Sequence, residues 1–148
     1  YKRLFPGGPE CRLKGAYLIK CVGYETDENG NVTEIAAEYD PDSRGGDPAD
    51  GRKVKGATIH WVDAKTAVKI KIRNYDYLMV DDEEGNQVMN PDSLTESIGY
   101  AEPLVAEAKP GERFQFFRKG YYIADSKLTN DTEKVFNKIV GLKSSWKK

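Results

Sequence analysis

Short segments in which apolar and charged residues alternate recur along this chain. From Val68 to Arg73, Val68, Ile70 and Ile72 fall on one parity and three basic residues on the other. Successive side chains of a strand point to opposite faces, so this alternation predicts a half-buried β-strand. About eight to ten such strands, without a long amphipathic helix, predict an all-β fold of the barrel type.

One long barrel and two small packed β-barrels both fit this pattern. A looser stretch near residues 75–110 favours two barrels that share strands and divide there. In the first part of the chain, the sequence predicts strands over 11–24, 32–39 and 53–62; a hairpin turn over 27–31, with Gly30 at positive φ, joins the first two, and a loop over 40–52 precedes the third. A turn over 63–67, capped by Asp63, leads to strands over 68–73 and 75–80 and then to an acidic loop over 81–92, with one helical turn from Pro91. The last part is predicted to contain a turn ending at 109–111, a hairpin over 114–124, and a strand over 135–142 before a Lys-rich tail.

The two cysteines, Cys11 and Cys21, are placed by this reading on one extended strand. Ten residues of strand span about 33 Å, which is too far for a disulfide. Two cysteines without a CxxC pair are also too few for a zinc site. We therefore expect a reducing, cytoplasmic location. Because residues 1–5 already resemble the inside of an element, we also expect a piece of a longer protein.

Charge is segregated along the chain, although the net charge is only −1. Residues 1–20, 52–73 and 109–148 carry net charges of +4, +6 and +6, whereas residues 24–50 and 76–107 carry −8 and −9. This segregation fits either a basic face opposite an acidic one or solvated charge clustered in loops. No run approaches the roughly 20 apolar residues of a membrane helix, so we do not expect a membrane as partner. The near-zero net charge gives no reason to expect DNA as partner.

Residues typical of catalysis are scarce. The single histidine, His60, lies in a β-rich run, where a packed or hydrogen-bonded role is the common one. Neither a nucleophile elbow nor a glycine-rich phosphate loop occurs in the sequence. We therefore predict no catalytic residue, no metal site and no cofactor in this chain.

Residues suited to RNA recognition are better represented. Lys2, Arg3, Arg12, Lys14 and Lys20 are interleaved with aromatic residues near the N-terminus. Cations neutralise phosphates, splayed bases stack on planar side chains, and the guanidinium fork can contact a base edge through two hydrogen bonds.

A second group, Gln115 and Arg118, lies among three phenylalanines. A glutamine amide offers both a donor and an acceptor to a base edge. From the pattern alone, a strand with core aromatics and a solvated polar face is the more common interpretation.

Four stretches of the sequence resemble the C-terminal anticodon-binding region of glutaminyl-tRNA synthetases. The longest is Asp47–Val62, with the sequence DPADGRKVKGATIHWV. The others are residues 1–4 with 12–17, residues 114–116 with Arg118, Gly120 and Tyr121, and residues 135–137 with 140–142, closing on Trp146. Together they span essentially the whole chain. Within them, Lys14 stands where the family has arginine, and Phe117 replaces an acidic residue.

The resemblance implies a proximal and a distal β-barrel, similar to the barrel of a 5S-RNA-binding ribosomal protein, that splay out the anticodon bases. The full-length enzyme joins glutamine to its tRNA with ATP and Mg²⁺ in a catalytic domain that is absent here. By motif, Arg3 matches the arginine that reads the third anticodon base, with Lys2 beside it. Arg12 and Lys14 match the pair near the first base, and Gln115 and Arg118 match the residues that hold the central uracil. Lys53 and Lys55, in a basic block, are expected phosphate contacts.

Three other interpretations remain open. The chain could be the related barrel region of a eukaryotic-type glutamyl-tRNA synthetase, which reads related anticodons. It could also be a non-catalytic RNA-binding barrel of ribosomal type, or a barrel that binds proteins.

Overall fold

The computed structural model describes residues 2–142. The predicted motif residues Tyr1 and Trp146 lie outside the described residues. The described part is all-β, which confirms the predicted class, and it contains eleven strands and two short 3₁₀ helices. The helices in this part are too short to cross a membrane.

The chain divides into two compact units, Tyr1–Trp61 and Val62–Lys148. The boundary lies upstream of the looser stretch near 75–110, which falls within the second unit. Assignment of the units to a proximal and a distal barrel stays a prediction. The strands are β1 Cys11–Leu13, β2 Leu18–Thr26, β3 Val32–Asp40, β4 Thr58–Ile59, β5 Val68–Tyr75, β6 Met79–Asp81, β7 Gln87–Met89, β8 Leu94–Ala101, β9 Arg113–Phe116, β10 Gly120–Ala124 and β11 Lys134–Gly141.

The first unit is built on one four-stranded sheet with the order β3-β2-β1-β4. β1 pairs antiparallel with β2 and parallel with β4. Leu18 is completely buried, and its backbone N–H donates to the buried Ser43 hydroxyl at 2.8 Å. This bond ties the loop after β3, including the 3₁₀ helix Pro41–Ser43, to the centre of the sheet.

The prediction of one strand over residues 11–24 is wrong, because the chain folds back between β1 and β2. Gly15 has φ of 71°, and the Ala16 N–H donates to the Leu13 carbonyl at 3.0 Å. A glycine reaches this conformation at little cost, which permits the tight turn. Cys11 and Cys21 therefore lie on neighbouring antiparallel strands, where both are buried free thiols.

The predicted strand over residues 53–62 is mostly absent, since regular pairing is limited to β4. Gly56 packs directly against the backbone carbonyl of Glu10, and a Cβ at this position would overlap that oxygen. This close backbone contact precedes β4, and regular ladder pairing begins at Thr58. Regular contacts resume at Ala57, whose carbonyl accepts from the Arg12 N–H at 2.9 Å.

The second unit contains a five-stranded sheet with the order β8-β5-β11-β10-β9. β5 and β11 run parallel, and the other neighbours are antiparallel. Its core centres on Phe136, which meets Phe116 edge-on at 5.2 Å between ring centroids. Phe116 also stacks on Tyr122 at 4.4 Å. The predicted hairpin over 114–124, the strand near 135–142 and the Asp63-capped turn are confirmed.

The stretch from 75 to 101 differs most from the prediction. Residues 81–92 are not a plain loop, because β6 and β7 form a separate two-stranded hairpin around a turn at Gly85, with φ of 83°. The chain after Pro91 makes a turn rather than a helical turn, and it leads into β8, a strand that the sequence did not predict. β8 is exposed along most of its length, so it lacks the apolar alternation that marks a half-buried strand.

Candidate nucleic-acid interface

Lys2 and Arg3 lie in a turn before β1, and both are exposed. The backbone carbonyl of Arg3 accepts a hydrogen bond from the buried Cys11 thiol at 2.9 Å. This contact fixes the Arg3 backbone beside the start of β1 and leaves the side chain at the surface. The predicted reader of the third base is thus anchored at its main chain.

Arg12 follows Cys11 on β1, and its side chain is partly covered by the loop at 45–47. Its Nε–H donates to the Gly46 carbonyl, and Nη2 lies 3.2 Å from the Asp47 carboxylate. Gly46 has φ of 98°, and a Cβ there would come within 2.8 Å of the Arg12 Cγ. These contacts orient the guanidinium, which retains N–H donors for a ligand.

Lys14 lies in the turn that follows β1, with its side chain exposed. Its N–H donates to the Ile59 carbonyl at 2.9 Å, and its carbonyl accepts from the Trp61 indole N–H at 3.1 Å. The main chain of Lys14 is therefore held against β4 and the residues after it. Arg12 and Lys14, predicted as a pair, are placed together by β1.

Arg52 belongs to the basic block at 52–73, but it serves the fold of the first unit. Its guanidinium contacts the carboxylates of Glu10 at 3.0 Å, Asp40 at 2.6 Å and Asp50 at 2.9 Å. The bond from Arg52 lowers the pKa of Asp40, and this set of carboxylates raises the pKa of Arg52. The positive charge of Arg52 is thus neutralised within the protein.

Lys53 and Lys55 come directly after Arg52 and are exposed, while Val54 between them is partly buried. Both side chains therefore lie at the surface, as a phosphate contact requires.

Gln115 lies on β9 between two core aromatic residues. Phe114 and Phe116 point inward and both meet Phe136, at 5.5 and 5.2 Å between centroids. Strand alternation directs Gln115 to the opposite face, where it is exposed. The two phenylalanines are therefore accounted for by core packing, and the Gln115 amide lies at the surface.

Arg118 lies in the turn that joins β9 to β10, where the Lys119 N–H donates to the Phe116 carbonyl at 2.8 Å. Its φ is +62°, the one positive value at a non-glycine residue among residues 2–142. The left-handed conformation costs such a residue about 1–2 kcal/mol. Its guanidinium lies 5.7 Å from the centroid of the exposed Phe117 ring, a cation–π distance.

Gly120 begins β10 with φ of 150°, and a Cβ there would overlap the Val140 carbonyl oxygen. The close approach of β11 thus fixes the chain directly after the turn that carries Arg118. A glycine at this point is required by both the conformation and the space.

The structure groups the predicted residues by unit. Lys2, Arg3, Arg12, Lys14, Lys53 and Lys55 lie in the first, and Gln115 and Arg118 in the second. Two contacts were not predicted from the sequence: those of Gly46 and Asp47 with the Arg12 side chain, and that of the Phe117 ring with Arg118. The Gly45-Gly46-Asp47 run was a signal for the former, since paired glycines mark a strained loop. Within residues 2–142, no group of three or more His, Cys, Asp or Glu side chains could hold a metal ion.

Comparison with known proteins identifies close relatives of this chain. Residues 58–125 match the family described as the anticodon-binding domain of class I tRNA synthetases, E and Q. A glutamine–tRNA ligase of Clostridium perfringens is 50% identical over 99% of this chain. Those of Clostridioides difficile and Escherichia coli are 49% and 46% identical over 99% and 100% of it.

The chain spans about a quarter, 27%, of the length of these ligases. The match runs through both units, so it covers every candidate residue named above. Residues 58–125 belong to the family of anticodon-binding domains of the class I synthetases for glutamate and glutamine, and the chain as a whole is similar to glutamine–tRNA ligases.

Proposed function

We propose that this chain recognises the anticodon of the glutamine tRNA, as part of a longer ligase that joins glutamine to that tRNA with ATP. The observation that carries the proposal is the identity of about half the residues to glutamine–tRNA ligases over nearly the whole chain. ATP and Mg²⁺ would act in the remaining part of such a ligase, since this chain spans only 27% of the length of its relatives.

The second unit supplies groups that complement uracil. The pairing edge of uracil presents an acceptor, a donor and a second acceptor in sequence. The Gln115 amide can accept from the central N–H and donate to one carbonyl, while Arg118 donates to the other. No other RNA base presents this order of groups, so the pair favours uracil at the central anticodon position.

The first unit supplies groups suited to the flanking bases. Anticodons for glutamine end in guanine and those for glutamate end in cytosine, so the third base separates the two tRNAs. An exposed arginine such as Arg3 can make two hydrogen bonds to guanine, and it lacks the acceptor that cytosine's amino group needs. Arg12 and Lys14 would contact the first base, where Lys14 offers a point charge instead of a planar fork.

Binding of anticodon stem-loop RNAs by the full 148-residue chain tests this proposal. We expect the glutamine anticodon to bind more tightly than variants with a changed central or third base. Arg3→Ala should cost about 1–3 kcal/mol of binding free energy and remove discrimination at the third base. Equal affinity for all stem-loops would favour a ribosomal-type barrel, and preference for the glutamate anticodon would favour the glutamyl family.

Lys53 and Lys55 should act on all of these RNAs alike, since phosphates carry no sequence information. We expect Lys53→Gln with Lys55→Gln to weaken every stem-loop by a similar factor. The slope of log affinity against log salt concentration should also become shallower, by the amount expected for the loss of about one to two phosphate contacts. An unchanged salt dependence would exclude both lysines as phosphate contacts.

A further inference from the structure

We propose that the Tyr121 ring stacks on the nucleobase whose edge is contacted by Gln115. The outward side of the β9–β10 hairpin would then bind one splayed base, with Tyr121 against the plane of the base and Gln115 at its edge. This inference rests on the proposed function. It adds an aromatic side chain to a site to which only polar residues had been assigned.

The strand register places Tyr121 directly beside Gln115. In the antiparallel β9–β10 pair, Tyr121 is the partner of Gln115, and Tyr122 is the partner of Phe114. Directly opposed side chains on one face have Cβ atoms about 4.5–5.5 Å apart. Since Tyr122 and Phe114 point into the core, Tyr121 and Gln115 share the outer face.

The exposure of the pair supports a ligand-binding role over a packing role. Tyr122 is 5% exposed, whereas Tyr121 is 44% exposed and Gln115 is exposed as well. A base that stacks on the Tyr121 ring lies within reach of the neighbouring amide. Single-stranded RNA is commonly bound in this way, by aromatic side chains on a sheet surface with polar groups at the base edges.

A β-bulge in the neighbouring strand extends the apolar surface around Tyr121. Tyr121 pairs with Val140 and Tyr122 pairs with Lys138, so Ile139 is an extra residue on β11. Both Ile139 and Val140 are 52% exposed. Bulges redirect side chains and are frequent next to functional sites. Here the bulge leaves two consecutive apolar side chains at the surface beside the aromatic ring.

The turn that carries Arg118 follows Gln115 by three residues and precedes Tyr121 by three. Gln115, Arg118 and Tyr121 are thus placed on a single hairpin, and its geometry is fixed by Gly120 packing on the Val140 carbonyl. One hairpin therefore presents an amide, a guanidinium and an aromatic ring, which together suit a flat ligand with polar edges.

The experiment compares Tyr121→Ala and Tyr121→Phe in the full chain, using the glutamine anticodon stem-loop and a stem-loop with an abasic nucleotide at the central position. We expect Tyr121→Ala to weaken binding of the intact stem-loop by about 5- to 150-fold, and Tyr121→Phe to bind like the wild type, because the ring alone provides stacking. With the abasic RNA, wild type and Tyr121→Ala should bind equally. The matched control is Tyr100→Ala, at a tyrosine of the same unit that is 64% exposed on β8, which should change neither affinity.

Each outcome bears on one of the two proposals. Full affinity of Tyr121→Ala, or an equal loss with intact and abasic RNA, would overturn the stacking role while leaving anticodon binding in place. No binding of any stem-loop by the wild type would overturn the proposed function and the stacking role with it. Thermal unfolding of each variant separates loss of the site from loss of the fold.

Discussion

Arg12 in the first unit and Arg118 in the second are both proposed to contact the anticodon, yet the protein holds them by different means. The Arg12 guanidinium is clamped by the Gly46 carbonyl and the Asp47 carboxylate. Arg118 is instead oriented by its own backbone, at φ of +62° in a hairpin turn, with its guanidinium beside Phe117. A side-chain clamp depends on a neighbouring loop, whereas a strained turn depends on the strands on either side of it.

The difference has a physical consequence for how each site can fail. Displacement of the 45–47 loop would release Arg12 without disturbing the ladder of β1. The backbone of Arg118 lies in the turn that closes the β9–β10 pair, so its position is coupled to the fold of its unit. Four substitutions or conditions should separate the two units, and their expected effects decrease in the order given.

Gly120→Ala should be the most damaging substitution. The added Cβ would overlap the Val140 carbonyl oxygen in a conformation that favours glycine, and we expect a loss of about 2–4 kcal/mol in the free energy of unfolding. Gly111→Ala is the matched control, since Gly111 has φ of 85° but nothing within 4 Å of the added Cβ. Urea unfolding measures both, and equal losses would show that β11 does not constrain the turn.

Gly46→Ala should separate the clamp on Arg12 from ordinary backbone strain. Gly45 and Gly46 have φ of 95° and 98°, but a Cβ meets the Arg12 side chain only at Gly46. Both substitutions should lower stability by a similar amount through strain, about 1–2 kcal/mol. Gly46→Ala should in addition weaken stem-loop binding by about 1–2 kcal/mol. Equal binding by the two variants would contradict a role for the clamp.

Arg118→Gly should make the protein more stable and less able to bind RNA. Glycine removes the left-handed strain but has more freedom in the unfolded chain, so we expect a gain of about 0.5–1 kcal/mol in unfolding free energy. Arg118→Ala loses the same guanidinium and keeps the strain. The two variants should bind RNA equally weakly, and Arg118→Gly should have the higher thermal stability. An Arg118→Gly protein that is less stable than Arg118→Ala would show that the turn is unstrained, because only the greater freedom of glycine in the unfolded chain would then remain.

Acid should weaken the first unit through its carboxylates around Arg52, with the smallest effect of the four. The pKa of Asp40 is lowered from 3.8, first by its hydrogen bond from Arg52. Because the pKa of Asp40 is lower in the folded protein than in the unfolded chain, its ionised form stabilises the fold at pH values above the unfolded-state pKa. This stabilisation is lost as the pH falls through the folded-state pKa. Stability of Arg52→Gln should therefore fall less steeply than that of the wild type below about pH 4.

The second unit provides the control for this experiment. The pKa of Asp125 is lowered first by the hydrogen bond from Asn137, at 2.7 Å, so its acid response should be the same in Arg52→Gln. Chemical unfolding between about pH 2 and pH 7 measures both contributions. A wild-type acid response in Arg52→Gln would exclude the Arg52 cluster as its source.

Two turns with the same local chemistry show how far prediction from the sequence reached. Asp27–Asn31 and Asp82–Asn86 share the pattern Asp-x-x-Gly-Asn, and in each the Asn N–H donates to the Asp carboxylate at 2.8 Å. The first was predicted as a hairpin because alternating strands flank it. The second was assigned to a loop, since β6 and β7 are short and exposed on both faces, which removes the alternation that marks a strand.

The candidate site divides in the same way between sequence and structure. Residue type and alternation were enough to predict the hairpin over 114–124 and the exposed position of Gln115, whereas the strand predicted over 53–62, which includes Lys53 and Lys55, is mostly absent. The pairing of Tyr121 with Gln115 depends on strand register, and the contacts of Arg12 join residues about 35 positions apart. Such contacts leave no local pattern in the chain, because they depend on which segments meet after folding.

The sequence by itself determined the all-β class, most turns and the family, since alternation, turn residues and long motifs are local properties of the chain. The tertiary structure decided where the chain divides into units, that Arg52 is neutralised by three carboxylates, and that Arg12 is clamped while Arg118 is strained. The reason is physical. The ion pairs of Arg52, the contacts of Arg12 and the strand register all join groups that are distant in sequence. These interactions stabilise the protein only after the strands have paired.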